Sequence, residues 1–113
     1  MHFSKLLGAF VNSISGMKFL LKERAFAQEI ILGLFLCVVL FFSQNTTTEM
    51  LYIFSSYLLV LITESLNTCI ETVINRISLE KNLLSKKAKD VGSATVFVSL
   101  LHLGIVSLVL IKF

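Results

Sequence analysis

Two glutamates and two asparagines lie at helical spacing in the middle of a strongly apolar sequence. Glu64, Asn67 and Glu71 occupy positions i, i+3 and i+7, and Asn75 follows about one turn later. On an α-helix this spacing places the side chains on one face. A carboxylate inside hydrocarbon costs about 2.5–3.5 kcal/mol on insertion scales. The row therefore predicts a functional site, with interhelical hydrogen bonding or pairing to Lys89 as the purely structural alternative.

Carboxylate and amide oxygens in such a row suit a hard divalent cation. Magnesium is typically held by one or two carboxylates together with substrate phosphates and water. Glu23 precedes the first apolar run and adds a third carboxylate at the same expected membrane depth. Glu29 follows it, either as a surface residue or as a further ligand. The acidic residues therefore predict a Mg²⁺ site.

A second polar cluster opens the last apolar run. The segment KKAKDVGSA places three lysines beside Asp90, which is the only aspartate in the sequence. Lysines here suit a phosphate-bearing ligand, although the topology rule for positive charges also accounts for most of them. The sequence contains neither the glycine-rich nucleotide motifs nor the motifs of protein kinases. Phosphoryl transfer would therefore need another architecture.

The composition indicates that these residues are positioned by membrane helices. The 113 residues are 56% hydrophobic and 15% charged, whereas soluble domains average about 45–50% apolar and about 25% charged residues. A soluble fold of this size needs more polar cover, not less. The composition excludes a soluble globular domain and a disordered chain, and the length allows one domain.

Three apolar runs are long enough to cross a bilayer, which takes about 20 residues of helix. They cover approximately residues 25–43, 50–74 and 89–111, the second only if Glu64 lies within the membrane or at its edge. The runs lack the alternation of barrel strands. Residues 3–22 form an amphipathic pattern typical of a helix on the membrane surface. We therefore expect an all-α membrane protein with one surface helix and three transmembrane helices.

The distribution of basic residues predicts the orientation. Lysine and arginine are concentrated before the first span and in the 76–90 loop, whereas the 43–49 turn has none and the C-terminus has only Lys112. Basic loops remain on the cytoplasmic side. We therefore expect the N-terminus and the 76–90 loop to be cytoplasmic.

Three further polarisable side chains lie inside the spans. His102 is in the middle of the last run, where we expect it to pack with a hydrogen-bond partner rather than to relay protons. Cys37 and Cys69 are far from any metal-binding spacing and are expected to be small buried hydrophobes.

Residues 64–96, ESLNTCIETVINRISLEKNLLSKKAKDVGSATV, closely resemble the signature of the prokaryotic diacylglycerol kinase family. ESLNTCIE and AKDVGSA are the specific parts, and with the span layout the resemblance covers nearly the whole chain. It implies a homotrimer of the bacterial inner membrane, with active sites shared between protomers and no nucleic-acid partner. It also implies transfer of the γ-phosphoryl group of MgATP to diacylglycerol at the cytoplasmic face. Family members that act on undecaprenol represent the alternative substrate.

The resemblance implies a role for each matching residue. Glu64 corresponds to the general base for the lipid hydroxyl, and Glu23 and Glu71 correspond to metal ligands. The residues that would contact the nucleotide are Lys5, Asn12, Glu23, Asn67, Glu71, Glu80, Lys89 and Asp90. The residues that would contact the lipid are Lys18, Gln28, Glu64 and Ser93.

The sequence departs from the family pattern at two polar positions. Asn75 replaces the usual aspartate and Asn82 replaces a frequent histidine, and the usual tryptophans are missing. Loss of the carboxylate affects any role that needs a charge at position 75. Two other classes of function stay open: a small ion- or proton-coupled transporter with Glu64 as its relay, and a structural subunit of a larger complex.

Overall fold

The computed structural model describes residues 2–113 as four helices with no strand among them. The helices are α1 (His2–Leu21), α2 (Arg24–Phe42), α3 (Thr47–Ile77) and α4 (Leu83–Leu110). α2, α3 and α4 are long and apolar enough to span a membrane. The expected all-α membrane fold with three spanning helices is confirmed.

The two longest helices begin at polar caps. Thr46 and Glu49 form a capping box at the start of α3, where each side chain accepts a hydrogen bond from the other's backbone N–H. Asn82 caps α4, its Oδ1 accepting from the backbone N–H groups of Leu84 (2.9 Å) and Ser85 (3.3 Å). α4 therefore begins at Leu83, ahead of the apolar run that starts near residue 89.

Each helix packs against its neighbour in the chain, and α3 makes the most extensive contacts. α3 packs most extensively against α4, then against α2, and α1 contacts α2. The core is formed by Leu36, Ile53, Tyr57, Val60 and Leu103. We call the end that contains the α1–α2 turn and the α3–α4 loop the basic end, since eight of the ten lysines and arginines lie at residues 18–24 or 76–89.

Polar pairs join α3 to α4 inside the apolar region. The Ser56 hydroxyl lies 3.3 Å from His102 Nε2, and the Thr63 and Ser99 hydroxyls are 2.9 Å apart. The expectation that His102 packs with a hydrogen-bond partner is thereby confirmed. Such pairs satisfy groups that hydrocarbon cannot solvate.

The expected burial of the two cysteines is wrong. Cys37 and Cys69 are both exposed on the single chain. Lipid tails are as apolar as a protein core, so an apolar run does not show which of its residues face inward.

Large apolar surfaces remain uncovered on the single chain. α1 has no buried residue, and its apolar side chains, such as Phe3 and Phe10, are exposed. Apolar surface of this extent marks contact with a membrane or with another protein chain. This exposure agrees with the expected surface location of α1.

The end of the bundle opposite the basic end is closed by side-chain and backbone hydrogen bonds. Asn45 Nδ2 donates to the Leu110 carbonyl, and Asn45 Oδ1 accepts from the Lys112 backbone N–H at 3.1 Å. The Gln44 N–H donates to the Lys112 carbonyl at 2.7 Å, and the Lys112 ammonium pairs with Glu49 at 3.0 Å. The α2–α3 turn thus binds groups at the end of α4 that the helix leaves without partners.

We expect Asn45→Ala to lower the free energy of unfolding by about 1–3 kcal/mol, because it removes two hydrogen bonds and leaves their partners unpaired. Denaturation in detergent micelles, followed by circular dichroism, measures the loss. Gln44→Ala is the matched control, since Gln44 contributes through its backbone N–H. Equal stability of the two variants would show that the Asn45 side chain contributes nothing.

Candidate active site

The polar row of α3 runs from the interior of the bundle toward its basic end. Glu64 and Asn67 are buried, with 7% and 8% of their surfaces exposed, and Glu71 is half-buried. Asn67 Nδ2 donates to Glu71 Oε1 at 3.3 Å. The three residues therefore share one face, as their spacing predicts, and the amide orients the Glu71 carboxylate.

Glu29 lies inside the bundle opposite this row. It is 8% exposed, and its carboxyl group interacts electrostatically with that of Glu64. The sequence leaves open whether Glu29 is a surface residue, and the structure shows that it is buried. The signal for this is its helical spacing with Phe26, Gly33 and Leu36, which form the buried face of α2.

The Asn67 side chain lies against the backbone of α4. Its Oδ1 is buried and has no hydrogen-bond partner among residues 2–113. A Cβ atom at Gly92 would collide with this oxygen. Gly92 thus allows α4 to approach the polar row closely. Since a buried acceptor without a partner is costly, the amide oxygen is suited to receive a ligand.

Two further carboxylates act on Glu64. Glu23, in the exposed turn between α1 and α2, and Glu71 both interact electrostatically with the Glu64 carboxyl group. Among residues 2–113, no three acidic, histidine or cysteine side chains are close enough together to hold a metal ion by themselves. The donors are nevertheless the oxygen type that Mg²⁺ prefers, and Mg²⁺ commonly completes its shell with phosphates and water. The carboxylates and the free Asn67 oxygen therefore fit magnesium held jointly with a phosphate ligand.

The row continues beyond the carboxylates to a lysine. Lys89 of α4 donates from Nζ to Asn75 Oδ1 of α3 at 2.9 Å. The neighbouring Asp90 points elsewhere and pairs with Lys86 at 2.6 Å on the exposed surface. The alternative in which Lys89 pairs with a carboxylate of the row does not occur, because its partner is the Asn75 amide.

Further candidate residues lie outside the row of α3. Glu80, Lys89 and Asp90 line one surface depression of about 570 Å³ beside the α3–α4 loop. The remaining side chains are exposed on a single chain: Lys5, Asn12, Lys18, Gln28 and Ser93. Asn82, which stands where the family frequently has a histidine, caps α4. Within the single chain, the residues of the polar row thus lie together, whereas the candidate residues outside the row are mostly exposed.

The fold and this site define a small, multi-pass helical membrane protein with an acidic site inside its bundle. Residues 11–111 match the family model described as prokaryotic diacylglycerol kinase. The chain belongs to this family.

Several curated relatives are similar over most of their length. The chain is 42% identical over 102 residues to the diacylglycerol kinase of Haemophilus influenzae, covering 89% of this chain and 86% of that protein. It is 39% identical over 97 residues to the Pseudomonas aeruginosa diacylglycerol kinase, covering 85% and 79%. The Escherichia coli K12 diacylglycerol kinase is 34% identical over 100 residues, covering 88% and 82%.

We expect Gly92→Ala to displace the Asn67 amide, because the new methyl group would occupy the position of its oxygen. The free energy of unfolding in micelles should fall by about 1–3 kcal/mol, the usual cost of overpacking. Gly104→Ala is the matched control on the same helix, since nothing lies within 4 Å of its Cβ position, and it should be neutral or stabilising. If the two variants are equally stable, the close approach of α4 to Asn67 is wrong.

Proposed function

We propose that this chain is a diacylglycerol kinase, which transfers the γ-phosphoryl group of ATP to the free hydroxyl of diacylglycerol and yields phosphatidic acid and ADP. Family membership supports this reaction. The observation that carries it is the polar row itself, which begins at buried Glu64 and ends beside Lys89. In this proposal the lipid hydroxyl meets the buried end, and the charged phosphate chain meets the open one.

Glu64 is the proposed general base. It is buried within the bundle, at the inner end of the polar row. Its carboxylate accepts the proton of the lipid hydroxyl as that oxygen attacks the γ-phosphorus. The bond between the γ-phosphorus and its bridging oxygen breaks, and ADP leaves with the electron pair. Phosphoryl transfer depends mainly on positioning and charge neutralisation, and a positioned base typically contributes about 10²–10⁴-fold.

Glu71 and Glu23 are the proposed ligands of magnesium. The hydrogen bond from Asn67 fixes the orientation of Glu71. Bound magnesium would neutralise charge on the phosphates of the nucleotide. Lys89 supplies a second positive charge at the same end of the row. The remaining proposed nucleotide contacts are Lys5, Asn12, Asn67, Glu80 and Asp90.

The lipid side of the site is proposed to lie along α2 and α4. Gln28 and Ser93 are exposed there, and Lys18 is exposed on α1. The openness of these residues, together with the uncovered apolar faces, supports a homotrimer in which a neighbouring protomer completes each site. The concentration of lysine and arginine at the basic end supports an inner-membrane location with the N-terminus and the site in the cytoplasm.

A phosphorylation assay in mixed micelles tests the proposal. Purified protein receives labelled ATP with diacylglycerol or undecaprenol, each with and without magnesium. We expect magnesium-dependent label in phosphatidic acid. Label only in the polyprenyl product would assign the other lipid. Absence of label with folded protein would contradict the kinase, and proton flux in proteoliposomes would then favour the transporter.

We expect Glu64→Gln to retain binding of MgATP and to lose about 10²–10⁴-fold in kcat, because the amide cannot accept the hydroxyl proton. Equilibrium binding and steady-state kinetics separate the two effects. Glu71→Gln is the comparison variant on the same helix, and it should weaken MgATP binding as well as turnover. Wild-type kcat in Glu64→Gln would exclude Glu64 as the base.

A further inference from the structure

The contact between Asn75 and Lys89 joins α3 and α4 at the basic end of the bundle. Lys89 Nζ donates to Asn75 Oδ1 at 2.9 Å. Asn75 is exposed and Lys89 is half-buried, so the ammonium lies at the rim of the polar row. The hydrogen bond restricts a side chain that otherwise has considerable rotational freedom.

The positive charge of Lys89 is not neutralised by this contact. The Asn75 amide is uncharged, and the adjacent carboxylate of Asp90 is bound to Lys86 at 2.6 Å. Within the described part of the chain, Lys89 forms no salt bridge. Its ammonium is therefore held in place with its charge available to an anion.

We propose that Asn75 is a positioning residue that holds the Lys89 ammonium at the mouth of the site for a phosphate group of the nucleotide. This inference rests on the proposed kinase function. An amide suits the task because its oxygen accepts a hydrogen bond from the ammonium. The hydrogen bond from the neighbouring helix replaces the salt bridge by which an exposed lysine is commonly held.

The test compares Asn75→Leu, which is close in size but accepts no hydrogen bond, with Asn75→Asp, which retains an acceptor oxygen. Binding of a non-hydrolysable MgATP analogue to the protein in micelles is measured together with KM for ATP, KM for diacylglycerol and kcat. We expect Asn75→Leu to weaken analogue binding and to raise KM for ATP about three- to tenfold, the usual effect of one hydrogen bond. KM for the lipid should not change. Asn75→Asp should remain within about threefold of wild type, since an exposed ion pair offsets little of the charge.

A double-mutant cycle identifies Lys89 as the residue through which Asn75 acts. In a Lys89→Met background, Asn75→Leu should have no further effect on nucleotide affinity, because the group it positions has been removed. Lys81→Met serves as the control, since it removes a lysine that lines the same surface depression and no hydrogen bond or salt bridge of Lys81 is present among residues 2–113.

The outcomes separate this inference from the function on which it rests. Wild-type protein that neither binds the analogue nor phosphorylates lipid overturns the proposed function. If the wild type is active, either of two results overturns only the role of Asn75. One is normal binding of the analogue by Asn75→Leu, and the other is an effect of Asn75→Leu that adds fully to that of Lys89→Met. A loss of affinity equal in Asn75→Leu and Lys81→Met would also overturn it. If Asn75→Leu does not fold, Asn75→Ala is used in the same cycle.

Discussion

The need to enclose carboxyl groups within a membrane helix bundle governs this structure. Glu64 on α3 and Glu29 on α2 are both buried and interact with each other. Neither could face lipid without a large cost in free energy. α2 and α3 must therefore pack against each other at this level.

Two glycines permit the close packing that this enclosure requires. A Cβ at Gly33 would collide with the Tyr57 ring, and a Cβ at Gly92 would collide with the Asn67 amide. In both cases a polar side chain of α3 fills the space beside the glycine. At Gly33 this side chain is also held by a hydrogen bond, in which the Tyr57 hydroxyl donates to the Glu29 carbonyl at 2.8 Å. Small residues in membrane helices commonly serve this purpose. Here they bring the backbones of α2 and α4 to the polar side of α3.

The sequence was sufficient to predict the three spans, the shared face of Glu64, Asn67 and Glu71, and the family. It was not sufficient to assign a direction to every side chain. Glu29 could have been a surface residue, and Cys37 and Cys69 were expected to be buried. The physical reason is that helical spacing defines the faces of a helix but does not identify the face that meets protein, because lipid and core are equally apolar. The partner of Lys89 was equally undetermined, since it depends on how α3 and α4 pack.

The two ends of the bundle use their polar groups differently. At one end, Asn45 and Lys112 bind the turn to the last helix, and their hydrogen-bonding groups have partners within the chain. Toward the basic end, and within residues 2–113, the Asn67 oxygen has no hydrogen-bond partner and Lys89 forms no salt bridge, while Glu23 is exposed. A buried polar group without a partner lowers stability, so the cost of the Asn67 oxygen has to be compensated by contacts elsewhere. The closed end supplies such contacts without involving the polar row.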